Sequence, residues 1–133
     1  MLAAAAHDVV AELRHRRRDM RRELAQVRWW RRLVRARRDL AVAFLAQPGS
    51  DVAAGLDLSW EALAAGAPTS AELAGAVWPD AGAFTASTLE ELDALEERLG
   101  AYEARVAATL DNVTAQMVRA LAQQQRAENP REG

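Results

Sequence analysis

Three arginines and one aspartate recur at helical spacing in the stretch RWWRRLVRARRDL: Arg28, Arg31, Arg35 and Asp39. At 100° per residue, these side chains fall within an arc of about 80° on one side of a helix. Apolar residues flank that side, and a row of like charges between apolar walls is costly without counter-charges. Guanidinium groups bind carboxylates, phosphates and guanine through planar pairs of hydrogen bonds. The pattern therefore predicts a site that binds anions.

The segment that carries these residues has the pattern of one long helix over residues 5–46. Four apolar residues recur every seven positions: Leu13, Met20, Val27 and Val34. This spacing is typical of the buried side of a long helix. Pro48 and Gly49 follow, and proline cannot continue the helical hydrogen bonds, so the helix is expected to end before them.

A second long helix is predicted over residues 88–127. Ser87 and Thr88, followed by Glu90 and Glu91, have the pattern of a capping box at a helix start. Apolar residues then step by three or four positions as far as Leu121, which is the spacing of an amphipathic helix. A polar tail over residues 128–133 follows the helix.

The connection over residues 47–87 mixes glycine, proline, serine and aspartate with short apolar runs. We expect short helices in it around Ser59–Ala65 and Thr69–Val77. Thr69 with Glu72 forms a second capping-box pattern, which supports the later of the two. The length of 133 residues suits a single domain made of all these segments.

The two long helices cannot bury their apolar sides alone, so we expect an all-α, coiled-coil-like antiparallel hairpin. Residues 1–40 hold twelve arginines against five acidic residues, a balance of +7, whereas the remainder holds five arginines against fourteen, a balance of −9. A basic helix would thus lie beside an acidic one. Five glutamates of the second helix are available to the arginines: Glu90, Glu91, Glu96, Glu97 and Glu103.

Several functions are disfavoured by the composition. The chain has no cysteine, which rules out disulfides and thiolate chemistry. No glycine loop, nucleophile or isolated carboxylate pair marks a catalytic site, and we expect neither enzymatic activity nor a bound metal or cofactor. The first residues lack the basic and apolar regions of a signal peptide, and no stretch is apolar enough for a membrane span, so we expect a cytoplasmic protein.

The run ELAQVRWWRRLVRARRDLAVAFLA resembles the first helix of RsiG-type anti-sigma factors, which are bacterial aerial mycelium formation proteins. Members of that family are antiparallel helical hairpins that bind a sigma factor in response to the second messenger cyclic di-GMP. The resemblance covers both long helices and leaves the connection aside. It implies a sigma factor as the partner and cyclic di-GMP as the ligand.

The nucleotide motif of the family is a glutamate, three residues, a serine, two residues, an arginine, three residues, a glutamine, three residues and an aspartate. Arg31 and Asp39 match its arginine and aspartate. Leu24, Arg28 and Arg35 stand in place of the glutamate, serine and glutamine. In the second helix, Glu103 stands for the glutamate of the repeated motif, and the other positions hold Ala107, Leu110, Thr114 and Val118.

The resemblance implies that Arg31 binds a phosphate or a guanine and that Asp39 accepts from guanine nitrogens. The extra charges of Arg28 and Arg35 would favour phosphate. The residues alone are also compatible with other interpretations. The arginines can form a solvated or salt-bridged face of the hairpin, which is the common outcome for charge runs. The chain can also be a ligand-independent helical module or a homodimeric four-helix bundle.

Two further partners fit the residues less well. A basic helix can bind nucleic acid through phosphates, but the acidic second helix would offset its field, and the sequence pI is about 5.7. A helix rich in tryptophan and arginine can also lie on a membrane surface. Here the arginines fall between two apolar stripes instead of opposite one, which favours protein contacts on two sides.

Overall fold

The computed structural model describes residues 2–46, 65–77 and 84–129, and these residues form three α-helices without a strand among them. Helix α1 spans Leu2–Leu45, α2 spans Ser70–Val77 and α3 spans Ala86–Glu128. The predicted all-α class, with two long helices and a short one between them, is confirmed. Of the other predicted short helix, Ser59–Ala65, residues 59–64 lie outside the described residues.

The starts of α2 and α3 are capped by threonine side chains. The Thr69 hydroxyl accepts a hydrogen bond from the Glu72 amide at 3.1 Å, as the capping pattern predicts. At the start of α3, the Thr88 amide donates to the Thr85 hydroxyl at 3.3 Å, and the Thr85 amide donates to the Thr88 hydroxyl at 3.0 Å. The prediction that Ser87 or Thr88 caps α3 is wrong, because Thr85 forms this reciprocal pair and the helix begins at Ala86.

The chain divides into two compact units. The first contains Met1–Leu33 and Glu96–Gly133. Within it, α1 and α3 are antiparallel, since contacts move toward lower numbers on α3 as they move along α1. Three hydrogen-bonded pairs show this direction: His7 with Gln124, Arg17 with Thr114, and Glu23 with Tyr102.

The core of the first unit is narrow and aliphatic. Its buried side chains are Val10, Leu13, Leu24, Val27, Val106 and Val113. Each such side chain contributes about 1.5–3 kcal/mol when it leaves water. Leu13 and Val27 belong to the seven-residue pattern read from the sequence, so that part of the prediction is confirmed.

The second unit, Val34–Leu95, has an aromatic core. Phe84 is 4% exposed, and its ring centroid lies 5.5 Å from that of Phe44. The guanidinium of Arg37 lies 4.3 Å above the Phe84 ring, in a cation–π contact. Ala41 is fully buried, and Arg38 pairs with Asp93 between α1 and α3.

Within the described ranges, no helix combines the length and apolar character required to cross a membrane.

Candidate functional site

Arg31, the central residue of the predicted site, is held by two carboxylates of α3. Its Nη2 and Nε donate to Glu96 Oε1 at 2.6 and 3.1 Å, and its Nη1 donates to Glu103 Oε2 at 2.7 Å. The three side chains are only 20–23% exposed. The predicted pairing of the basic helix with Glu96 and Glu103 is therefore confirmed. The anions that Arg31 binds in this structure are therefore carboxylates of its own chain.

Glu103 forms ion pairs with two arginines. Its second oxygen, Oε1, lies 3.3 Å from Nε of Arg28, whose side chain is 62% exposed. One carboxylate thus bridges a partly buried guanidinium and an exposed one. Because surface ion pairs contribute little, the Arg28 contact is the weaker of the two and the easier one for another anion to replace.

Gly100 lies directly beneath the guanidinium of Arg31. A Cβ atom built on Gly100 would lie 3.4 Å from Nη2 and 3.5 Å from Cζ of Arg31. These are ordinary van der Waals distances, so a small side chain at this position packs against the guanidinium. Glu96 and Glu103 are seven residues apart on the same side of α3, and Gly100 lies between them. We call Arg28, Arg31, Glu96, Gly100 and Glu103 the Arg31 cluster.

The electrostatics of the cluster follow from these contacts. The hydrogen bond to Glu96 raises the pKa of Arg31 above its ordinary value, and the bond to Glu103 adds to this effect while partial burial opposes it. Arg31 therefore stays charged at all physiological pH values. Arg31 is thus a permanently charged group whose counter-charges are the carboxylates of Glu96 and Glu103.

The other two predicted site residues, Arg35 and Asp39, belong to the second unit. Both side chains are exposed there. Arg38, next to Asp39, pairs with Asp93, and this hydrogen bond is the main cause of a raised pKa of Arg38; the charge of Asp39 adds a smaller contribution.

Leu24, which occupies the place of the motif glutamate, is buried at 8% exposure in the core of the first unit. The adjacent Glu23 instead accepts a hydrogen bond from the hydroxyl of Tyr102 at 2.8 Å. This bond is the main cause of a raised pKa of Tyr102, with partial burial and the charge of Glu23 adding to it and Arg105 opposing it. The carboxylate of this region therefore points to α3, one position before the motif place.

Tyr102 offers a direct test of this geometry because it is the only tyrosine in the chain. We expect its absorbance near 295 nm to report ionisation above the ordinary tyrosine pKa of about 10, and Glu23→Ala to lower that pKa. Stability linked to the bond is present below the unfolded pKa and is lost as pH rises through the folded value. Glu12→Ala is the matched control, since Glu12 pairs with Arg16 on the same helix. An unchanged titration in Glu23→Ala would contradict the contact.

Sequence reasoning located the arginines and their two glutamates but missed the parts around them. The role of Gly100, the Glu23–Tyr102 bond and the Arg38–Asp93 pair were not predicted. The sequence did offer one indication of the Gly100 contact, which is a glycine midway between two glutamates that are seven residues apart. Glu90, Glu91 and Glu97, also expected to meet arginines, form no ion pair with any residue that the structure describes.

The described part of the chain contains no group of three or more histidine, aspartate or glutamate side chains arranged for a metal ion. Comparisons with protein family models, with curated proteins and with solved structures gave no match to this chain.

Proposed function

We propose that this chain is a cytoplasmic, non-enzymatic regulatory protein that binds a sigma factor, and that cyclic di-GMP controls this binding through the arginines of the Arg31 cluster. The observation that carries the proposal is the shared carboxylate of Glu103, which bridges Arg31 at 2.7 Å and Arg28 at 3.3 Å. Two guanidinium groups held by one carboxylate are also arranged for one phosphate. The resemblance to RsiG-type anti-sigma factors supplies the partner and the ligand.

A phosphate can take the place of Glu103 because both groups offer two oxygens to a guanidinium. Arg28, at 62% exposure, is accessible to an incoming anion. Glu96 can keep its two hydrogen bonds to Arg31 while the phosphate displaces Glu103. Arg31 therefore stays attached to α3 when the ligand binds. Ligand binding and the α1–α3 contact at Glu103 then compete for the same donors, which links the nucleotide to the helix pair.

Arg35 and Asp39 enter the proposal through the resemblance. Asp39 has the chemistry to accept from the guanine N1 and N2 groups, and Arg35 adds a charge for phosphate. Both side chains are exposed. Leu24 is buried and takes no part, so the proposed ligand set is Arg28, Arg31, Arg35 and Asp39 without the motif glutamate.

A calorimetric titration with cyclic di-GMP tests the nucleotide. We expect binding to the full chain and its loss in Arg31→Ala and in Asp39→Ala. Glu103→Gln removes the competing charge and should raise the affinity about tenfold, the order of one charge-assisted hydrogen bond that no longer has to be displaced. The experiment compares each dissociation constant with that of the parent chain.

Arg119→Ala is the matched control for this titration. Arg119 is an exposed arginine of α3 that pairs with no residue in the described ranges, so its loss should leave nucleotide affinity unchanged. Circular dichroism checks that Arg31→Ala remains helical, because that variant removes the ion pairs that join Arg31 to Glu96 and Glu103. Equal affinity in the parent chain, Arg31→Ala and Asp39→Ala would place any nucleotide elsewhere.

The second candidate is a helical interaction module that needs no ligand. It is favoured by the fact that Nε, Nη1 and Nη2 of Arg31 are all hydrogen-bonded within the chain. In this case the Arg31 cluster fixes which helix faces which, as buried ion pairs do in some helical proteins. The absence of cyclic di-GMP binding even in Glu103→Gln would select this candidate.

The protein partner is tested separately by affinity capture from the native host with the full chain as bait. The expected result is a sigma factor that is retained in a reproducible ratio and that fails to start transcription while bound. Capture without any sigma factor would refute the main clause of the proposal, whatever the outcome of the nucleotide titration.

A further inference from the structure

The side of α1 that points away from the core of the first unit carries an exposed patch. At 100° per residue, Arg18, Arg22, Trp29 and Leu33 fall within an arc of about 60°, opposite the buried leucines of the same helix. Trp29 is 48% exposed and Leu33 42% exposed. Trp30, 51% exposed, packs edge-on against Trp29 with ring centroids 4.7 Å apart. We call this patch the outer face of α1. Neighbouring exposed tryptophan and leucine side chains are typical of interaction surfaces.

One edge of the outer face is positively charged. Arg14 and Arg32 lie along it and are exposed. Together with Arg18 and Arg22, they make no ion pair with any residue in the part of the chain that the structure describes. The charge of this edge is therefore available to a partner, unlike that of Arg31.

The opposite edge is acidic. Asp8, Glu12 and Asp19 lie along it, and the last two form helical pairs with Arg16 at 3.1 Å and with His15 at 3.3 Å. Exposed apolar residues such as Trp29 and Leu33, beside arginines that are unpaired within the described residues, are the features by which a helix selects an acidic, amphipathic partner. A nucleic acid, which is negative throughout, would meet the carboxylates of this edge, so the surface fits a protein better.

The α3 segment of the first unit in a second copy is a poor occupant on charge grounds. Within the first unit, α3 from residue 96 to 128 carries five acidic residues and four arginines. Two of the acidic residues, Glu96 and Glu103, already bind arginines of α1. This part of α3 therefore has no surplus of negative charge to offer to the arginine edge of another protomer.

We infer that the outer face of α1 binds an amphipathic helix of another protein, one whose apolar residues are bordered by an acidic edge. A shallow depression lined by Arg22, Ala25, Gln26 and Trp29 can receive an apolar side chain. From Arg14 to Leu33 the surface is about 28 Å long, which matches a partner helix of about five turns. Trp29 is the expected anchor, because tryptophan dominates the energetics of such interfaces.

This inference deepens the proposed function, since it names the surface and the chemistry of the protein partner, and it rests on that function only for the existence of such a partner. The Arg31 cluster lies on the core side of α1, so the two surfaces can be tested independently.

The experiment places the photo-crosslinking residue benzoylphenylalanine at Gln26, inside the depression, in the full chain expressed in the native host. The same residue at Ala104, an exposed position of α3, is the matched control. Mass spectrometry then maps the crosslinked segment. We expect a crosslink from position 26 and not from 104, onto a helical segment of another protein with an excess of acidic residues.

Charge reversal completes the test. The double variant Arg18→Glu with Arg22→Glu should lower the crosslink yield at least about tenfold, because like charges then face each other. Lysines in place of the acidic residues of the mapped segment should restore it. A crosslink to nucleic acid, to a second copy or to a basic segment would overturn the inference, as would equal yields at 26 and 104 or no crosslink at all. An acidic helix from a protein other than a sigma factor would uphold the inference and refute the proposed function.

Discussion

Leu24→Glu restores the glutamate of the nucleotide motif, and we expect it to destabilise the protein instead of improving the ligand site. Leu24 is 8% exposed in the core of the first unit, beside Val27 and other aliphatic side chains. The substitution loses the transfer free energy of a buried leucine and places a carboxyl group among apolar atoms. A loss of about 3–5 kcal/mol in the free energy of unfolding is expected, a large part of the stability of a small protein.

The pH dependence of the stability of Leu24→Glu shows whether the buried carboxyl group causes the loss. Burial raises the pKa of the new carboxyl group in the folded state above its unfolded value of about 4.3. The unfolded state then ionises first, so stability relative to the parent chain falls as the pH rises from about 4 toward 7. Urea unfolding at both pH values measures this difference. Leu24→Gln is the control, because its deficit should not change with pH.

A Leu24→Glu variant as stable as the parent chain would show that this position reaches solvent or a cation. It would also reopen the motif glutamate as a ligand for the nucleotide. The expected loss of stability instead means that this chain uses the position for packing. The nucleotide, if it binds, then has to be held by the arginines and Asp39 alone.

The long helices were predictable because their signals are local and repeated. The seven-residue spacing that includes Leu13 and Val27 fixed the buried side of α1, and both are buried. The start of α3 was misassigned because Ser87, Thr88 and Glu90 also form a capping pattern. The choice of Thr85 depends on a reciprocal bond with Thr88, at 3.0 and 3.3 Å, and one sequence offers several equivalent pairs of this kind.

The candidate site was predictable in its charges but not in its contacts. Spacing placed the arginines on one side of a helix, and the acidic second helix implied carboxylate partners. Which glutamates pair with the arginines depends on the register between the two helices. A shift of one turn would place another residue of α3, instead of Glu103, beside Arg31. Gly100 packs against the Arg31 guanidinium in this register, but that contact is visible only once the helices are paired.

Phe84→Ala is also expected to cause a large loss of stability, and this loss should be located in the second unit. Phe84 is 4% exposed, contacts Phe44 at a centroid distance of 5.5 Å and lies under the guanidinium of Arg37. Removal of the ring leaves a cavity, exposes Phe44 and ends the cation–π contact. A loss of about 3–5 kcal/mol is expected for such a truncation. Hydrogen exchange read by mass spectrometry should show it as faster exchange over residues 34–45 and 86–95.

Val42→Ala supplies the matched control, since Val42 lies on the same part of α1 but is 39% exposed, and its truncation should change stability by less than about 0.5 kcal/mol. Phe84→Leu, which keeps most of the volume, should fall between the two. Because Asp39 is two residues from Arg37 on α1, loosening this region also removes what holds Asp39 in place. Unchanged exchange over 34–45 in Phe84→Ala would mean that the aromatic pair does not stabilise the second unit.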